Sequence, residues 1–559
     1  MILRRLYLYL VSAAALALLA GGLAALGATI LLFVFNDPSA DTNRGQLAVF
    51  SAMTVVALPV WGVHFWFARR FAMRDPFERA SAIRRLYLYW ACLVTSLVAA
   101  QTLAFLLGQL LQPVLDQQSF SALGTSQLAW VTFVLVGFFA LHFTIASKDR
   151  AAVGEEGASA TLRRWYMYIA LLVGLLTMLA GAAYLLQIGW TRLVLASADK
   201  YLYLSIPAGS TLAGAILWGF HARAIAVRHQ ADDRHSTLRA LEGFIAVAIS
   251  IATALFGATQ ILYYALARAL GVSDPGGAGT NLLVALATPG ALLLVYGVAW
   301  FLIRRRLARD AGTQEADRQA GVRRLYTNLA SLISLGAMGY GAAALLASLA
   351  EQLEAPIIGV KAPDWKDPVS LSVTLLVVGA AVWVAHWRHA PWAADRQSLG
   401  RKLYVWAALL GSILAVLGGG VGLLNALLRQ LFSAHPNLAD TSNLDFGRYL
   451  AVVIVAAAIG VYHWRVLRAD AAARPPKAAV QPQPVPPVLA AITHEDAAPA
   501  PEVVGPHSRR YTLVITDATE DDVHQALASL PPQANYHLTA SEQIPTKSEP
   551  DGVTSRGPH

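Results

Sequence analysis

The sequence predicts an all-α integral membrane protein with about twelve transmembrane helices. Of its 559 residues, 56% are hydrophobic and only 14% are charged, against about 25% charged residues in soluble domains. Uncharged stretches such as residues 6–35 and 91–115 exceed the roughly 20 residues that a helix needs to cross the hydrocarbon core. An internal repeat with a period of roughly 80 residues indicates one structural unit that is copied several times.

Two short motifs define each copy of the repeat. An opening motif, Arg-Arg-Leu-Tyr or a close variant, is found at residues 4–7, 84–87, 163–166, 323–326 and 401–404. A histidine, preceded in several copies by tryptophan as in Trp-x-x-His, follows each opening motif by roughly 60 residues. A sixth, decayed copy spans residues 239–306. The chain therefore contains six related segments.

We interpret each copy as a hairpin of two transmembrane helices. The first helices are predicted to start near residues 5, 84, 163, 239, 323 and 401, and each second helix ends in a basic cluster such as Arg69-Arg70. Because both ends of a hairpin are basic, both lie on the same side of the membrane. The copies are then parallel repeats, related by an axis along the membrane normal.

The net charge of +9 follows from this topology. Most of the 43 Lys and Arg lie at the basic ends of the hairpins, and the positive-inside rule places these ends in the cytoplasm. We therefore expect an inner-membrane protein with both termini cytoplasmic and no nucleic-acid partner. Residues 1–35 are predicted to be a permanent helix rather than a signal peptide, since the same motif and apolar run recur internally. The single cysteine, Cys92, cannot form a disulfide framework within one chain.

The composition changes after the last predicted helix. Residues 475–508 are rich in Pro and Ala, which predicts a semi-rigid linker. Residues 509–545 have a strand–helix–strand pattern and form a predicted small cytoplasmic α/β segment. A piece this short rarely folds alone, so we expect it to dock on the membrane part, on a second copy or on a protein partner.

The first tyrosine of each opening motif and the late histidine are the polar residues that we single out. At 1.5 Å per residue, Tyr7 and His64 lie at a similar depth below the cytoplasmic surface, so we predict that they approach each other within the first hairpin. The decayed copy has Glu242 at the tyrosine position and Ala299 at the histidine position. This joint loss indicates that the two residues act as a pair. The predicted pairs are Tyr7 with His64, Tyr87 with His142, Tyr166 with His221, Tyr326 with His386, and Tyr404 with His463.

The favoured interpretation of these pairs is an interhelical lock that satisfies two polar groups near the membrane surface. The basic clusters and the neighbouring tryptophans are interpreted as interface anchors; the tryptophans are Trp61, Trp66, Trp218, Trp383, Trp387 and Trp464. Haem or metal ligation by the histidines is the alternative. We do not favour it, because metal sites usually add carboxylates or thiolates, and no cofactor is expected.

The opening motif and Trp-x-x-His resemble an uncharacterised family of bacterial membrane domains, a domain of unknown function. The resemblance covers about residues 1–470 and implies units of two hairpins, with four helices each. It divides the membrane part into units 1–150, 160–306 and 320–470, the second with a degenerate second half. It implies a fold and no activity.

We expect a non-enzymatic scaffold or accessory subunit that contacts the lipid bilayer and, through the C-terminal tail, a protein partner. No catalytic set is recognisable in the sequence. A transporter or channel for an uncharged or amphipathic solute is the first alternative; ion-driven transport is disfavoured because no ionisable residue lies deep in the apolar segments. A haem-binding redox or sensory protein is the second alternative. The sequence leaves the oligomeric state open.

Overall fold

The computed structural model describes residues 2–195, 203–228, 233, 236–311, 317–357, 359–387, 396, 398–432 and 445–472. This part of the chain contains twelve helices that are long and apolar enough to cross a membrane. They are α1 Ile2–Val34, α2 Arg44–Arg74, α3 Ala82–Leu115, α4 Ala122–Val153, α5 Gly157–Leu195, α6 Ser205–Arg228, α7 Thr237–Ala269, α8 Ala287–Ala311, α9 Asp317–Ile357, α10 Lys366–Trp387, α11 Leu399–Phe432 and α12 Asp445–Ala472. The predicted linker 475–508 and the predicted strand–helix–strand segment 509–545 lie outside the described residues.

Local sequence signals set several helix ends. Ser121 precedes α4, and its hydroxyl accepts a hydrogen bond of 3.0 Å from the backbone N–H of Gly124, which satisfies one of the free donors of the first turn. At the other end, Gly154 has φ +70°, a left-handed conformation that glycine adopts without steric cost. Asp75 and Pro76 start a four-residue helix, Pro76–Arg79, in the turn between α2 and α3.

Consecutive long helices pack against each other in six pairs: α1 with α2, α3 with α4, α5 with α6, α7 with α8, α9 with α10, and α11 with α12. One further contact repeats every four helices along the chain. Helix α1 contacts α4, α5 contacts α8, and α9 contacts α12. Helix α3 packs along α6, and α7 packs along α10. Each pair thus contacts the next pair along the chain.

Glycines allow several of these helices to approach closely. A Cβ atom on Gly174 of α5 would lie 2.6 Å from the backbone N of Trp218 in α6, and one on Gly379 of α10 would lie 2.6 Å from the backbone N of Met338 in α9. Small residues at helix crossings are a general device of membrane proteins, where apolar burial alone does not drive association. The helices in these two pairs therefore touch backbone to backbone.

Large apolar side chains are exposed along the helices, which fits a hydrocarbon environment. Val55 is 69% exposed and Phe133 is 71% exposed. A soluble monomer rarely presents large contiguous apolar patches, whereas lipid tails are as apolar as leucine. The chain is a multi-pass membrane protein.

Candidate functional site

Four of the five predicted tyrosine–histidine pairs are joined by a hydrogen bond between the tyrosine hydroxyl and the histidine Nε2. The oxygen–nitrogen distance is 3.2 Å for Tyr7 and His64, 3.0 Å for Tyr87 and His142, 2.9 Å for Tyr166 and His221, and 2.8 Å for Tyr404 and His463. Each bond links the two helices of one pair. The predicted approach of Tyr7 and His64 within the first hairpin is thus found, and the role of the pairs stays a prediction.

The second ring nitrogen of each histidine fixes the direction of these bonds. In all five copies Nδ1 lies 2.7–2.9 Å from the backbone carbonyl oxygen four residues earlier in the same helix. A carbonyl oxygen can only accept, so Nδ1 carries the proton and Nε2 of the neutral imidazole is an acceptor. The tyrosine hydroxyl therefore donates to Nε2, and in these four pairs both groups are engaged.

The pairs differ in their exposure. Tyr7 is 56% exposed, whereas Tyr87 is 4% exposed and His142 is fully buried. His221 and His463 are also buried. Buried polar groups depend on their partners more than exposed ones do, because water cannot replace a lost hydrogen bond. We therefore expect the buried pairs to contribute more to stability than the first pair.

The fifth pair, Tyr326 and His386, has a different geometry. The ring centroids are 6.0 Å apart, compared with 5.3–5.6 Å in the four bonded pairs. Among the described residues, the hydroxyl of Tyr326 and Nε2 of His386 have no hydrogen-bond partner. The motif is intact in this copy, and the bond is not formed.

The decayed copy replaces the pair by an ion pair. The carboxylate of Glu242 in α7 accepts from Arg306 in α8, so a polar link between the two helices persists at the tyrosine position. Ala299, at the histidine position, is buried in an apolar cluster that includes Val247 and Ile303. This copy has therefore exchanged one interhelical bond for another.

Two tryptophans of the histidine motif bond to the next hairpin. The indole N–H of Trp61 in α2 donates to the hydroxyl of Tyr87 in α3 over 3.1 Å, and that of Trp383 in α10 donates to Tyr404 in α11 over 2.8 Å. Both links run from an odd-numbered hairpin to the even-numbered hairpin that follows it. Trp61 and Trp383 thus use their indole donors between helices, and their position at the membrane interface stays a prediction. Trp66 and Trp464 are more than half exposed, as an anchor is.

The arginines of the opening motif are bound to carboxylates. Arg5 donates to Glu78 over 2.8 Å, and Arg84 donates to Asp149 over 2.7 Å. Arg84 is 1% exposed, so it does not reach lipid headgroups. A buried cation is tolerated only when it is paired. These opening-motif arginines therefore link helices, and the anchor role of the basic clusters at the ends of the second helices stays a prediction.

The contacts continue without interruption from α3 to α5. Glu155, in the turn between α4 and α5, lies 3.3 Å from Arg85 and 2.9 Å from Arg163. Arg163 also donates two hydrogen bonds, of 3.0 and 2.9 Å, to Asp233, and Arg164 adds a third of 2.7 Å. We call Arg85, Glu155, Arg163, Arg164 and Asp233 the charged chain. It joins residues of the first two predicted units.

Burial and charge act in opposite directions on Asp233. Burial disfavours the ionised carboxyl, but the hydrogen bonds and positive charge of Arg163 and Arg164 outweigh it and hold the pKa of Asp233 below its usual value. The carboxylate is therefore ionised at neutral pH, and it neutralises the two arginines that it contacts.

The sequence interpretation overlooked these acids, although a signal was present. Each partner lies a nearly constant distance behind its arginine: 73 residues for Arg5 and Glu78, 65 for Arg84 and Asp149, 70 for Arg163 and Asp233, and 69 for Arg401 and Asp470. A carboxylate in the last turns of the second helix or just after it is thus a third periodic feature.

A second tyrosine recurs two residues after the first and was also missed. Tyr9 accepts from Arg84 over 3.1 Å, Tyr89 donates to Glu155, and Tyr168 donates to Asp233 over 3.3 Å. Its hydroxyl binds the arginine–carboxylate network, while the first tyrosine binds histidine. The arrangement as a whole cross-links helices. In the described part of the chain, no three His, Cys, Asp or Glu side chains are grouped as a metal site requires.

A family model matches three segments of the chain. A domain of unknown function, DUF5671, matches residues 5–131, 243–350 and 324–450, which together cover more than half of the chain. The matches begin within α1, α7 and α9, each the first helix of a pair. The boundaries 1–150, 160–306 and 320–470 predicted from the sequence stay a prediction. No curated protein and no solved structure matches the chain.

Proposed function

The chain belongs to the DUF5671 family, and from that premise we propose that it is a non-enzymatic membrane scaffold or accessory subunit. Six parallel hairpins, grouped as three four-helix units, would form a rigid membrane part, and the C-terminal tail would bind a protein partner in the cytoplasm. The proposal includes an inner-membrane location and cytoplasmic termini.

The observation that carries this proposal is the engagement of the repeated polar groups with one another. Four tyrosine hydroxyls donate to histidine Nε2 atoms, and each of those histidines uses its Nδ1–H on its own helix. A general acid, a general base or a nucleophile must face a substrate. Groups bonded in this way cross-link helices instead, and buried interhelical bonds favour one fixed arrangement.

Contacts within the predicted units, and between the first two of them, support the grouping into units. Trp61 and Trp383 each donate to the tyrosine of the following hairpin, and both links lie inside a predicted four-helix unit. The charged chain lies between the first and second units, where Glu155 contacts arginines from both. A rigid array of this kind suits a protein that holds partners in place.

Haem binding is the less favoured function because of the state of the histidines. A haem iron takes an imidazole nitrogen as its ligand, and Nε2 of His64, His142, His221 and His463 already accepts from tyrosine. Ligation at these four positions would require each tyrosine to move away.

Purification from native membranes in a mild detergent tests the proposal. We expect the full-length chain to retain a stoichiometric protein partner, identified by mass spectrometry, and a variant that lacks residues 475–559 to lose it. The matched control keeps residues 509–559 and replaces the linker 475–508 with a Gly/Ser segment of equal length; it should retain the partner. A chain that carries only lipid or small molecules would contradict the scaffold role and favour transport.

A further inference from the structure

A cavity that is partly open to the surface of the helices lies at the one tyrosine–histidine pair that is not bonded; Phe256 and Ile333, which line it, are 56% and 65% exposed. The cavity, of about 290 Å³, is bounded by α7, α9 and α10. Tyr326 and His386 line it, and most of the remaining wall is apolar, as at Phe256, Ile333 and Val378. Its volume lies at the lower end of the range of about 300–1,000 Å³ for small-molecule sites.

Only one place in the cavity wall offers free hydrogen-bonding groups. The hydroxyls of Thr259 and Ser334 also line the cavity, and each donates to a carbonyl oxygen of its own helix over 2.7 Å. Nδ1 of His386 donates to the carbonyl oxygen of Val382 over 2.9 Å, which leaves Nε2 as an acceptor. The hydroxyl of Tyr326 can donate or accept. One acceptor and one donor thus converge on an apolar space.

The contrast with the other copies shows what a ligand would replace. In the four bonded pairs the tyrosine hydroxyl satisfies the histidine, with ring centroids 5.3–5.6 Å apart. The centroids of Tyr326 and His386 are 6.0 Å apart, and both side chains face the cavity. Tyr326 and His386 are both partly buried, and a desolvated polar group without a partner is costly, so a ligand group that bonds to both would be stabilised here.

We propose that this cavity binds a hydroxyl-bearing amphiphile from the bilayer. The ligand hydroxyl donates to Nε2 of His386 and accepts from the hydroxyl of Tyr326, while its apolar body packs along α7, α9 and α10. An alkane cannot make these two bonds, and an anionic headgroup would meet the acceptor Nε2 with the wrong polarity. The site requires neither the tail nor a protein partner, so it stands independently of the scaffold role.

The ligand hydroxyl has two possible sources with the same chemistry. One is a small alcohol or phenol dissolved in the membrane, and the other is the hydroxyl headgroup of a single-chain lipid. Octanol represents the first source and a monoacylglycerol represents the second. The compound that competes identifies which of the two sources supplies the hydroxyl. The binding site is the same in both cases.

Photolabelling of the full-length chain in lipid nanodiscs tests the proposal. The probes are a fatty alcohol that carries a diazirine and the matched diazirine alkane without the hydroxyl; labelled peptides are mapped by mass spectrometry. We expect the alcohol to label α9 and α10 at the cavity at least about fivefold more than the alkane, since fivefold is the factor that one net hydrogen bond of about 1 kcal/mol supplies and the site offers two. We also expect octanol or the monoacylglycerol to reduce this labelling.

Three variants separate the site from general lipid contact. His386→Phe keeps an aromatic ring but removes the acceptor, and it should abolish the preference for the alcohol. Ala337→Leu fills the cavity and should reduce labelling by both probes. His463→Phe is the matched control, because His463 is bonded to Tyr404 and does not line the cavity; if the variant folds, judged by size exclusion, its cavity labelling should equal that of the natural chain.

Equal labelling by alcohol and alkane in the natural chain would overturn the proposal, as would an unchanged preference in His386→Phe. Failure of both competitors would also overturn it. If His386→Phe elutes as an aggregate, Tyr326→Phe serves in its place: it removes the hydroxyl alone and should lower the alcohol preference.

Discussion

At the residue scale, the buried hydroxyl of Tyr87 joins three helices. It accepts from Trp61 in α2 over 3.1 Å and donates to His142 in α4 over 3.0 Å. Tyr87→Phe keeps the ring and leaves both partners without this bond. We expect the free energy of unfolding to fall by about 1–2 kcal/mol, since interhelical bonds in membranes are usually worth less than about 2 kcal/mol. Equilibrium unfolding in mixed SDS micelles measures the change.

The matched control is Tyr7→Phe. Tyr7 makes the same type of bond to His64 over 3.2 Å, but it is 56% exposed, and water can satisfy the histidine when the hydroxyl is removed. The change should be smaller than that of Tyr87→Phe by at least a factor of two. Equal losses in the two variants would show that burial does not govern the contribution of these pairs.

Asp233 makes stability depend on pH. Its pKa is held below the usual value because the hydrogen bonds and charge of Arg163 and Arg164 outweigh the effect of burial. The ionised carboxylate therefore stabilises the fold above the ordinary carboxyl pKa of about 4, and this stabilisation is lost as the pH falls through the lower folded pKa. At pH 7, Asp233→Asn should destabilise the chain clearly, and the gap to the natural protein should narrow below about pH 4.

Thermal unfolding of both proteins between pH 7 and pH 3 tests this expectation. Asp37 provides the control, because its pKa is also lowered, by hydrogen bonds from Ser39, yet it is only partly buried and contacts no arginine of the charged chain. Asp37→Asn should therefore shift the unfolding curve little at any pH. A gap for Asp233→Asn that stays constant down to pH 3 would argue against ionic stabilisation.

The residues also show how far sequence reasoning reaches. Tyr7 and His64 could be paired because their depth follows from helix rise and from their distance to the basic ends. The partnership of Arg163 and Asp233 was missed, although an acid recurs at that place in several copies. The open pair Tyr326 and His386 could not be predicted, because its motif is intact and its spacing depends on how α9 and α10 pack.

At the element scale, α5 and α6 form the pair with the clearest backbone contact. A Cβ on Gly174 would lie 2.6 Å from the backbone N of Trp218, and a backbone atom cannot move aside as a flexible side chain can. Gly174→Ala should separate the helices locally and lower the free energy of unfolding by about 1–3 kcal/mol, the typical cost of overpacking. SDS unfolding is again the measurement.

Gly189 lies in the same helix and gives the matched control. A Cβ there would meet no atom within 4 Å, and alanine is favoured over glycine in a helix by roughly 0.5–1 kcal/mol. Gly189→Ala should leave stability unchanged or raise it. A loss as large as that of Gly174→Ala would mean that the close crossing is not the cause.

Prediction at this scale was more complete than at the residue scale. The motif positions predicted first helices that start near residues 84 and 401, and the structure begins α3 at Ala82 and α11 at Leu399. Apolar length and the repeat were sufficient for this, because a helix is the simplest way to satisfy its own backbone in lipid. Contacts such as α3 with α6 depend on shape and had no sequence signal that we recognised.

At the scale of the whole molecule, the arginines that pair with carboxylates lie at the basic ends of the hairpins. The same arginines determine the expected orientation of the chain in the membrane. Arg84 and Arg163 are buried and paired. A paired charge interacts more weakly with lipid headgroups than a free charge does. The positive-inside rule nevertheless counts Lys and Arg in short loops during insertion, before these contacts form. The basic ends should therefore lie in the cytoplasm.

The single cysteine makes this orientation testable. Cys92 is buried in an apolar cluster, so Cys92→Ala provides a background without cysteine, into which one exposed cysteine is introduced at a time. Ser119→Cys, between α3 and α4, should react with a membrane-impermeable maleimide in intact cells. Phe77→Cys, between α2 and α3 and 82% exposed, should react only after the cells are opened, because the membrane would separate it from the reagent. The reverse pattern would invert the topology and place the charged chain outside the cytoplasm, where a cytoplasmic partner could not reach the tail.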